Sequence, residues 1–252
     1  MKAIDTGAGS GGPAYDRRPR VERNRQNAAF RPLAVPVVDL THPIRPGMPA
    51  YPGDAPPIFA PAASLEKDGY RERHITMLSH TGTHLDAPAH MRAEGRVLDA
   101  FPLDHFVGPA CVLDVSDLSP GALIGPDLLI EIEPALKNAA FLLIRTGRAA
   151  EWGKASYFQE IPVLTPPAAK RLAKHAESNG GRLRGVGFDV CSPDPVGAIR
   201  FPIHQILLGA DLLILENLAD LTALPATGFT FSCPPLPLAD ADGAPCRAWA
   251  NW

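Results

Sequence analysis

The chain lacks the features that mark several large protein classes. Its 252 residues hold four cysteines, Cys111, Cys191, Cys233 and Cys246. They are widely separated and none sits in a CxxC pair, which excludes a zinc knuckle or a thioredoxin-type redox pair and leaves them as core or incidental thiols. No apolar run approaches the ~20 residues of a membrane span, and the N-terminus lacks the ~7–15 residue apolar core of a secretory signal. A cytoplasmic protein without a membrane partner is expected. Charge is balanced as well: a formal net charge of -3 with 20% charged residues gives no excess of one sign, so no nucleic-acid partner is expected. The one basic cluster, Arg17, Arg18, Arg20, Arg23 and Arg25, is interrupted by Glu22 and proline and reads as a solvated arm.

Residues 1–34 are rich in Gly, Pro, Arg and Asn with no apolar period, which predicts a flexible N-terminal extension. The glycine run from Gly7 to Gly12 has no strand before it, no amphipathic helix after it and no Lys-Ser or Lys-Thr pair, so it is not a phosphate loop. Residues 35–252 are long enough to bury one large core, and a single α/β domain is expected there.

The densest chemistry lies in HTGTHLDAPAH, where eleven residues from His80 to His90 carry three histidines and one aspartate. Neutral imidazoles with a carboxylate are a common ligand set for zinc, manganese or iron. No single regular element suits all four groups. In a straight strand, a rise of ~3.3 Å per residue puts His80 about 13 Å from His84. In a helix of ~3.6 residues per turn, Asp86 swings away from the histidines. Gly82, Pro88 and the β-branched pair Thr81 and Thr83 also oppose an uninterrupted helix. A strand end that curls into a loop is predicted.

Order is expected from Val35, where VPVVDLTH reads as a strand leading into a proline-stiffened loop that carries Tyr51. That ring either packs against its own loop or walls a substrate pocket. Strands are predicted over Tyr70 to Ser79, near Ala110 to Val115, over Ala139 to Gly147, over LRGVGFDV ending at Asp189, and over Asp211 to Leu218. Helices are predicted at Pro126 to Leu136, after Thr165 up to a glycine stop, and at Pro202 to Leu208. Strand–helix–strand order implies a crossover unit and a mixed or parallel sheet with helices against it. His74 and His105 fall outside the compact cluster and read as structural or surface residues.

Glu216 is an anomaly, a carboxylate inside the apolar run LLILENL. Burying it uncompensated costs several kcal/mol or more. An arginine partner, a retained proton or a metal would relieve that cost, and a histidine cluster elsewhere without a full set of ligands favours the metal.

HTGTHLDAPAH, followed by His204 and then by Glu216 in a strand, resembles the cyclase-like metal-dependent hydrolases, and the likeness runs from VVDLTHPIRPGMPAYPGD to the C-terminal LPLADADGAPCRAWA. The resemblance implies the family's swivelling β/β/α fold with a mixed sheet. It implies one or two divalent ions, zinc or manganese, the first on His80, His84 and Asp86 and the second on Asp86, His204 and Glu216. It makes His90 the general acid/base and places Tyr51 where the formamidase branch carries a pocket tryptophan. The consecutive histidine pair often found around His204 in the family is absent here. The implied activity is hydrolysis of an amide (arylformamide or cyclic amide) or lactone bond of a small molecule, in a homodimer or homotetramer. A lyase or cyclase using the same ion, and a non-catalytic metal-binding protein, are the competing readings.

Overall fold

The computed structural model describes residues 35–252, which form one compact unit. The expectations for residues 1–34 lie outside the described residues. In chain order the strands are β1 (Val37–Asp39), β2 (Ile58–Ala63), β3 (Glu72–Thr76), β4 (His84–Asp86), β5 (Val107–Asp114), β6 (Leu123–Ile124), β7 (Phe141–Arg145), β8 (Val163–Leu164), β9 (Gly185–Phe188), β10 (Leu213–Glu216), β11 (Phe229–Ser232), β12 (Gly243–Pro245) and β13 (Trp249–Asn251). The α-helices are α1 (Leu65–Asp68), α2 (Pro126–Ile130), α3 (Glu133–Leu136), α4 (Pro166–Ser178) and α5 (Pro202–Gly209).

Nine strands make one mixed sheet in the order β1-β13-β11-β5-β7-β9-β10-β4-β12. Its centre, β5-β7-β9-β10, is parallel, and the strands on either side pair antiparallel. The parallel strands explain their own sequences. In β7, Leu142 and Ile144 join a core with Leu172 of α4 and Ile203 and Leu207 of α5, whereas Phe141 and Leu143 join the opposite core with Phe231, Leu213 and Leu215. A strand buried on both faces reads as a continuous apolar run rather than an alternation. The mixed α/β architecture is therefore the expected one.

Helix α4 starts where Thr165 accepts a hydrogen bond from the Ala168 amide, with prolines in the first turn. It stops before Gly180 and Gly181, both at positive φ. The helix predicted over Pro126 to Leu136 is instead two short pieces, α2 and α3. Pro134 explains the break, since its ring opposes a continuous helix through the carbonyl four residues earlier, that of Ile130. A two-stranded ribbon, β2 with β3, and a parallel pair, β6 with β8, complete the strands. No helix among the described residues is long and apolar enough to cross a membrane.

Close approach at Gly187 holds β9 in the sheet. A Cβ there would lie 2.8 Å from both Leu143 Cδ2 and Leu218 Cδ1. Gly187→Ala is expected to destabilise the protein by about 1–3 kcal/mol through overpacking. An unchanged urea midpoint would contradict that packing.

Candidate metal centre

Strand β4 carries the centre, and its alternation explains which side chains meet. His84 and Asp86 are two residues apart and share a face, while Leu85 between them enters the opposite core. Pairing with β10 sets Glu216 opposite His84 and Ile214 opposite Asp86. Ile214 belongs to the core that α5 covers, so that helix brings His204 to the same face. His80 arrives through a turn rather than along a strand. Gly82 at φ +69 folds the chain back, so the His80 and His84 ring centroids are 5.1 Å apart. The strand in this stretch is thus short and central, with a turn before it and a 3-10 turn (Pro88–His90) after it.

Each of the three buried or half-buried histidines has one ring nitrogen tied to an oxygen outside the cluster. His84 Nδ1 donates to the Gly82 carbonyl at 2.8 Å. His204 Nδ1 lies 2.7 Å from Asp194 Oδ2, and His80 Nε2 lies 3.0 Å from Asp242 Oδ2. A carbonyl can only accept, and so can an ionised carboxylate, so these nitrogens carry the protons. The other nitrogens all turn inward. His80 Nδ1 is 2.7 Å and His84 Nε2 is 3.2 Å from Asp86 Oδ1. His204 Nε2 is 3.6 Å from Asp86 Oδ2 and 3.2 Å from Glu216 Oε1. Such outer partners set the tautomer and aim of metal-binding histidines. Three overlapping sets result, His80 with His84 and Asp86, Asp86 with His204 and Glu216, and a half-exposed one of His80 with His90 and Asp242, each with ligand atoms within 4.8 Å of one another.

Asp86 Oδ2 and Glu216 Oε1 are buried without a hydrogen bond. Glu216 Oε1 is close to His204 Nε2 in distance but off the line of an N–H, so proximity there is not a bond. Leaving a buried charged acceptor unmade costs at least about 1–3 kcal/mol, and a divalent cation would satisfy both atoms at once. The donor set of imidazole and carboxylate fits such an ion. The site is built to hold a divalent metal.

Without a cation, protons balance the carboxylates. Burial disfavours charge on His80, but Asp86 and Asp242 outweigh it and raise its pKa to about 9. Burial is likewise overcome at His204 by Asp194, Asp86 and Glu216, which push it up to about 12. Burial and the neighbouring Asp86 raise Glu216, while Asp86 is held low because its three histidines outweigh its burial. Metal binding at pH 7 is therefore expected to release up to about two protons, because ligand imidazoles must be neutral. Calorimetry in buffers of different ionisation enthalpy measures this, and binding without proton release would contradict it. The metal-free protein also has a defined pH response. His80 is raised above its unfolded value near 6.5, so its contribution to stability is full below that pH and disappears as pH rises through about 9.

The cluster forms the floor of a cavity of about 400 Å³, whose walls include Tyr51, Leu78, Met91, Phe158 and Phe201. His90 lines the same cavity, its ring centroid 4.0 Å from that of His80. Burial lowers its pKa, with Asp86 and Asp242 opposing only in part. Tyr51 faces the cavity and its hydroxyl accepts from the Gly197 amide at 2.9 Å, so it is both a wall and a tie to the 192–201 loop. All seven site residues named from sequence, His80, His84, Asp86, His90, His204, Glu216 and Tyr51, meet here, while His74 lies on exposed β3 and His105 packs beside Phe101.

Sequence reasoning missed three supporting residues. Asp194 accepts from His204 Nδ1 and from the Ile203 and His204 amides, each at 3.0 Å. Asn217 is held at φ +55. Its Nδ2 donates to the Gly82 carbonyl at 2.9 Å, and its Oδ1 accepts from the Tyr157 hydroxyl at 2.9 Å. Asp242 comes from the turn before β12. Adjacency to Glu216 was an available signal for Asn217, but nothing local distinguishes Asp194 or Asp242 from other loop aspartates.

A mixed sheet with helices on one face and a buried cluster of imidazoles and carboxylates on an antiparallel strand defines a metal-binding α/β protein. Comparison with known proteins is consistent with that class. The Cyclase family model ("Putative cyclase") matches residues 38–195, and the chain belongs to this family. It is 34% identical over 215 residues to the kynurenine formamidase of Geobacillus thermodenitrificans, covering 84% of this chain and 96% of that protein. Among solved structures, isatin hydrolase A from Labrenzia aggregata matches with a TM-score of 0.76 and 29% identity, covering 86% of this chain and 93% of that one. A protein described as a potential metal-dependent hydrolase with cyclase activity matches with a TM-score of 0.70 and 28% identity, covering 86% and 98% of the two chains.

Proposed function

We propose that this protein is a metal-dependent hydrolase that opens an amide bond, in an arylformamide or cyclic amide, or a lactone bond of a small molecule. The observation that carries the reading is the pair of orphaned buried oxygens, Asp86 Oδ2 and Glu216 Oε1, facing inward imidazole nitrogens at the floor of a cavity. His80, His84 and Asp86 would hold one ion, and Asp86, His204 and Glu216 a second, zinc or manganese in either position. A bound divalent ion supplies a water of pKa near 7 instead of about 15.7 and polarises a carbonyl. Asp86, shared by both sets, offsets part of the metal charge, and the imidazoles, being neutral ligands, leave the remainder for the substrate.

His90 does the proton work. With Nδ1 turned to Asp242 at 3.4 Å, its other nitrogen is left for the substrate, and burial, which lowers its pKa, favours the neutral imidazole that can accept a proton. Returning that proton to the leaving nitrogen or oxygen completes the exchange, since an amine leaves poorly without it. Tyr51, Phe158 and Phe201 supply flat apolar walls for an aryl ring, and no Lys or Arg is among the described lining residues. Those walls favour a neutral aromatic substrate. The kynurenine formamidase and isatin hydrolase relatives have names consistent with that chemistry.

The test is turnover of an arylformamide, isatin and a set of lactones by metal-loaded protein in ¹⁸O-labelled water. One label per product carboxylate or formate is expected. Product without label would shift the reading to a lyase or cyclase, and no turnover of any substrate would shift it to a non-catalytic metal protein. The reading includes a homodimer or homotetramer, supported by the apolar side chains Ile58, Tyr70 and Ile75 exposed on and beside the β2–β3 ribbon. Light scattering that gives a monomer mass would remove that part.

A further inference from the structure

One carboxylate outside the two buried ligand sets groups with both kinds of histidine, in the half-exposed set of His80, His90 and Asp242. Asp242 Oδ2 lies 3.0 Å from His80 Nε2 and 3.4 Å from His90 Nδ1. We propose that Asp242 is a positioning residue that simultaneously sets which nitrogen His80 turns to the metal and how His90 faces the substrate. The inference rests on the metal-dependent reading above and adds a residue and a role to it.

Three observations carry it. Strand β12 pairs with β4 so that Gly243 is opposite Asp86, and the Asp242 carbonyl accepts from the Ala87 amide at 2.8 Å. The backbone of Asp242 is thereby fixed against the His-rich strand, not left on a free turn. Second, the neighbouring residue is shaped around the His80 ring. A Cβ at Gly243 would lie 2.4 Å from His80 Cε1 and 2.7 Å from its Nε2, so the ring is pressed against the backbone that presents Asp242. Third, the two rings that share this acceptor are packed together, with centroids 4.0 Å apart.

The consequence for His80 is tautomeric. Both ring nitrogens of His80 face carboxylates, Nδ1 to Asp86 at 2.7 Å and Nε2 to Asp242 at 3.0 Å; a metal on Nδ1 would replace the proton there, and the Asp242 acceptor would keep the remaining proton on Nε2. For His90 the same oxygen fixes the ring plane and leaves its second nitrogen toward the cavity. A single side chain thus links metal affinity to proton transfer, with no part in either set of proposed ligands.

The experiment compares Asp242→Ala and Asp242→Asn with the unaltered protein in two measurements, metal affinity by chelator competition without substrate, and kcat and KM with metal saturating. Asp242→Ala is expected to weaken metal binding about 10–100-fold, the usual effect of losing an outer partner, and to lower kcat at least about 10-fold with KM little changed. Asp242→Asn keeps an acceptor oxygen in place. It should recover most of the metal affinity while kcat stays depressed, because a neutral amide oxygen is a weaker acceptor than a carboxylate for holding the His90 ring in place. Thermal melts of all three proteins check folding, and if the alanine variant is unfolded the isosteric asparagine variant decides by its kcat alone. Unaltered affinity and kcat in Asp242→Ala, or loss of only one of them, overturns the shared role. Equal loss of affinity in both variants overturns the tautomer argument. If the unaltered protein binds metal but hydrolyses nothing, the hydrolase reading fails and the affinity measurement alone judges Asp242.

Discussion

His90→Ala is expected to leave metal content unchanged while kcat falls by about 10²–10⁴-fold, the usual contribution of a positioned general acid or base. The expectation rests on where His90 lies. It borders the cavity beside His80 and is absent from the two sets that contain Asp86, sharing only the half-exposed set with His80 and Asp242, to which its one tethered nitrogen is committed. Its removal should therefore be invisible to metal analysis. The loss should appear at saturating substrate, because a proton carrier acts in the transition state and adds little to ground-state binding. A substrate whose leaving group needs no proton should lose much less. Full activity in His90→Ala would remove His90 from the reaction, and loss of metal in the same variant would make it a ligand instead.

Asp86→Ala should have the largest effect on the centre itself. Its two oxygens face His80 and His84 on one side and His204 on the other, so one substitution removes the common member of both ligand sets. Metal affinity is expected to fall by more than about 100-fold, beyond the 10–100-fold that follows loss of an outer partner, and activity should fall below detection. Glu216→Ala, by contrast, removes a member of one set only and should lower metal stoichiometry while leaving His80, His84 and Asp86 together. Elemental analysis of freshly purified variants reads both. Retention of the unaltered stoichiometry in Asp86→Ala would exclude the shared carboxylate, and the same result in Glu216→Ala would exclude the second set. Asp86→Ala also takes one buried counter-charge from protonated His80 and His204, leaving Asp242 beside His80 and Asp194 and Glu216 beside His204. Removing one partner from such a cluster costs about 3–5 kcal/mol, so the metal-free variant should melt lower than the metal-free parent.

The legible part of this fold is the part governed by nearest neighbours along the chain. Strands β7 and β9 show as apolar runs because both their faces are covered, and α4 shows because Thr165 and two prolines start it and two glycines stop it. Residue type alone marked His80, His84, Asp86 and His90 as a cluster, and the cost of burial marked Glu216. Less was legible where the backbone turns. A strand was expected to run into the His-rich stretch and curl at its end, whereas the strand is only His84–Asp86 and the turn at Gly82 precedes it. One glycine at positive φ decides that arrangement, and its neighbours in sequence do not reveal which conformation it takes.

What the sequence determined by itself is therefore the chemistry available: a set of imidazoles and carboxylates, an apolar framework to bury them, and a resemblance that divides them between ligands and a proton carrier. What only the tertiary structure decided is which atoms of those groups face one another. Asp194 became a partner of His204 because it accepts the first-turn amides of α5, and Asp242 a partner of His80 because β12 pairs with β4, contacts that join residues 10 and 162 positions apart. Hydrogen bonds across such separations depend on strand register and helix placement, which the whole core sets together. No local pattern around either aspartate encodes them.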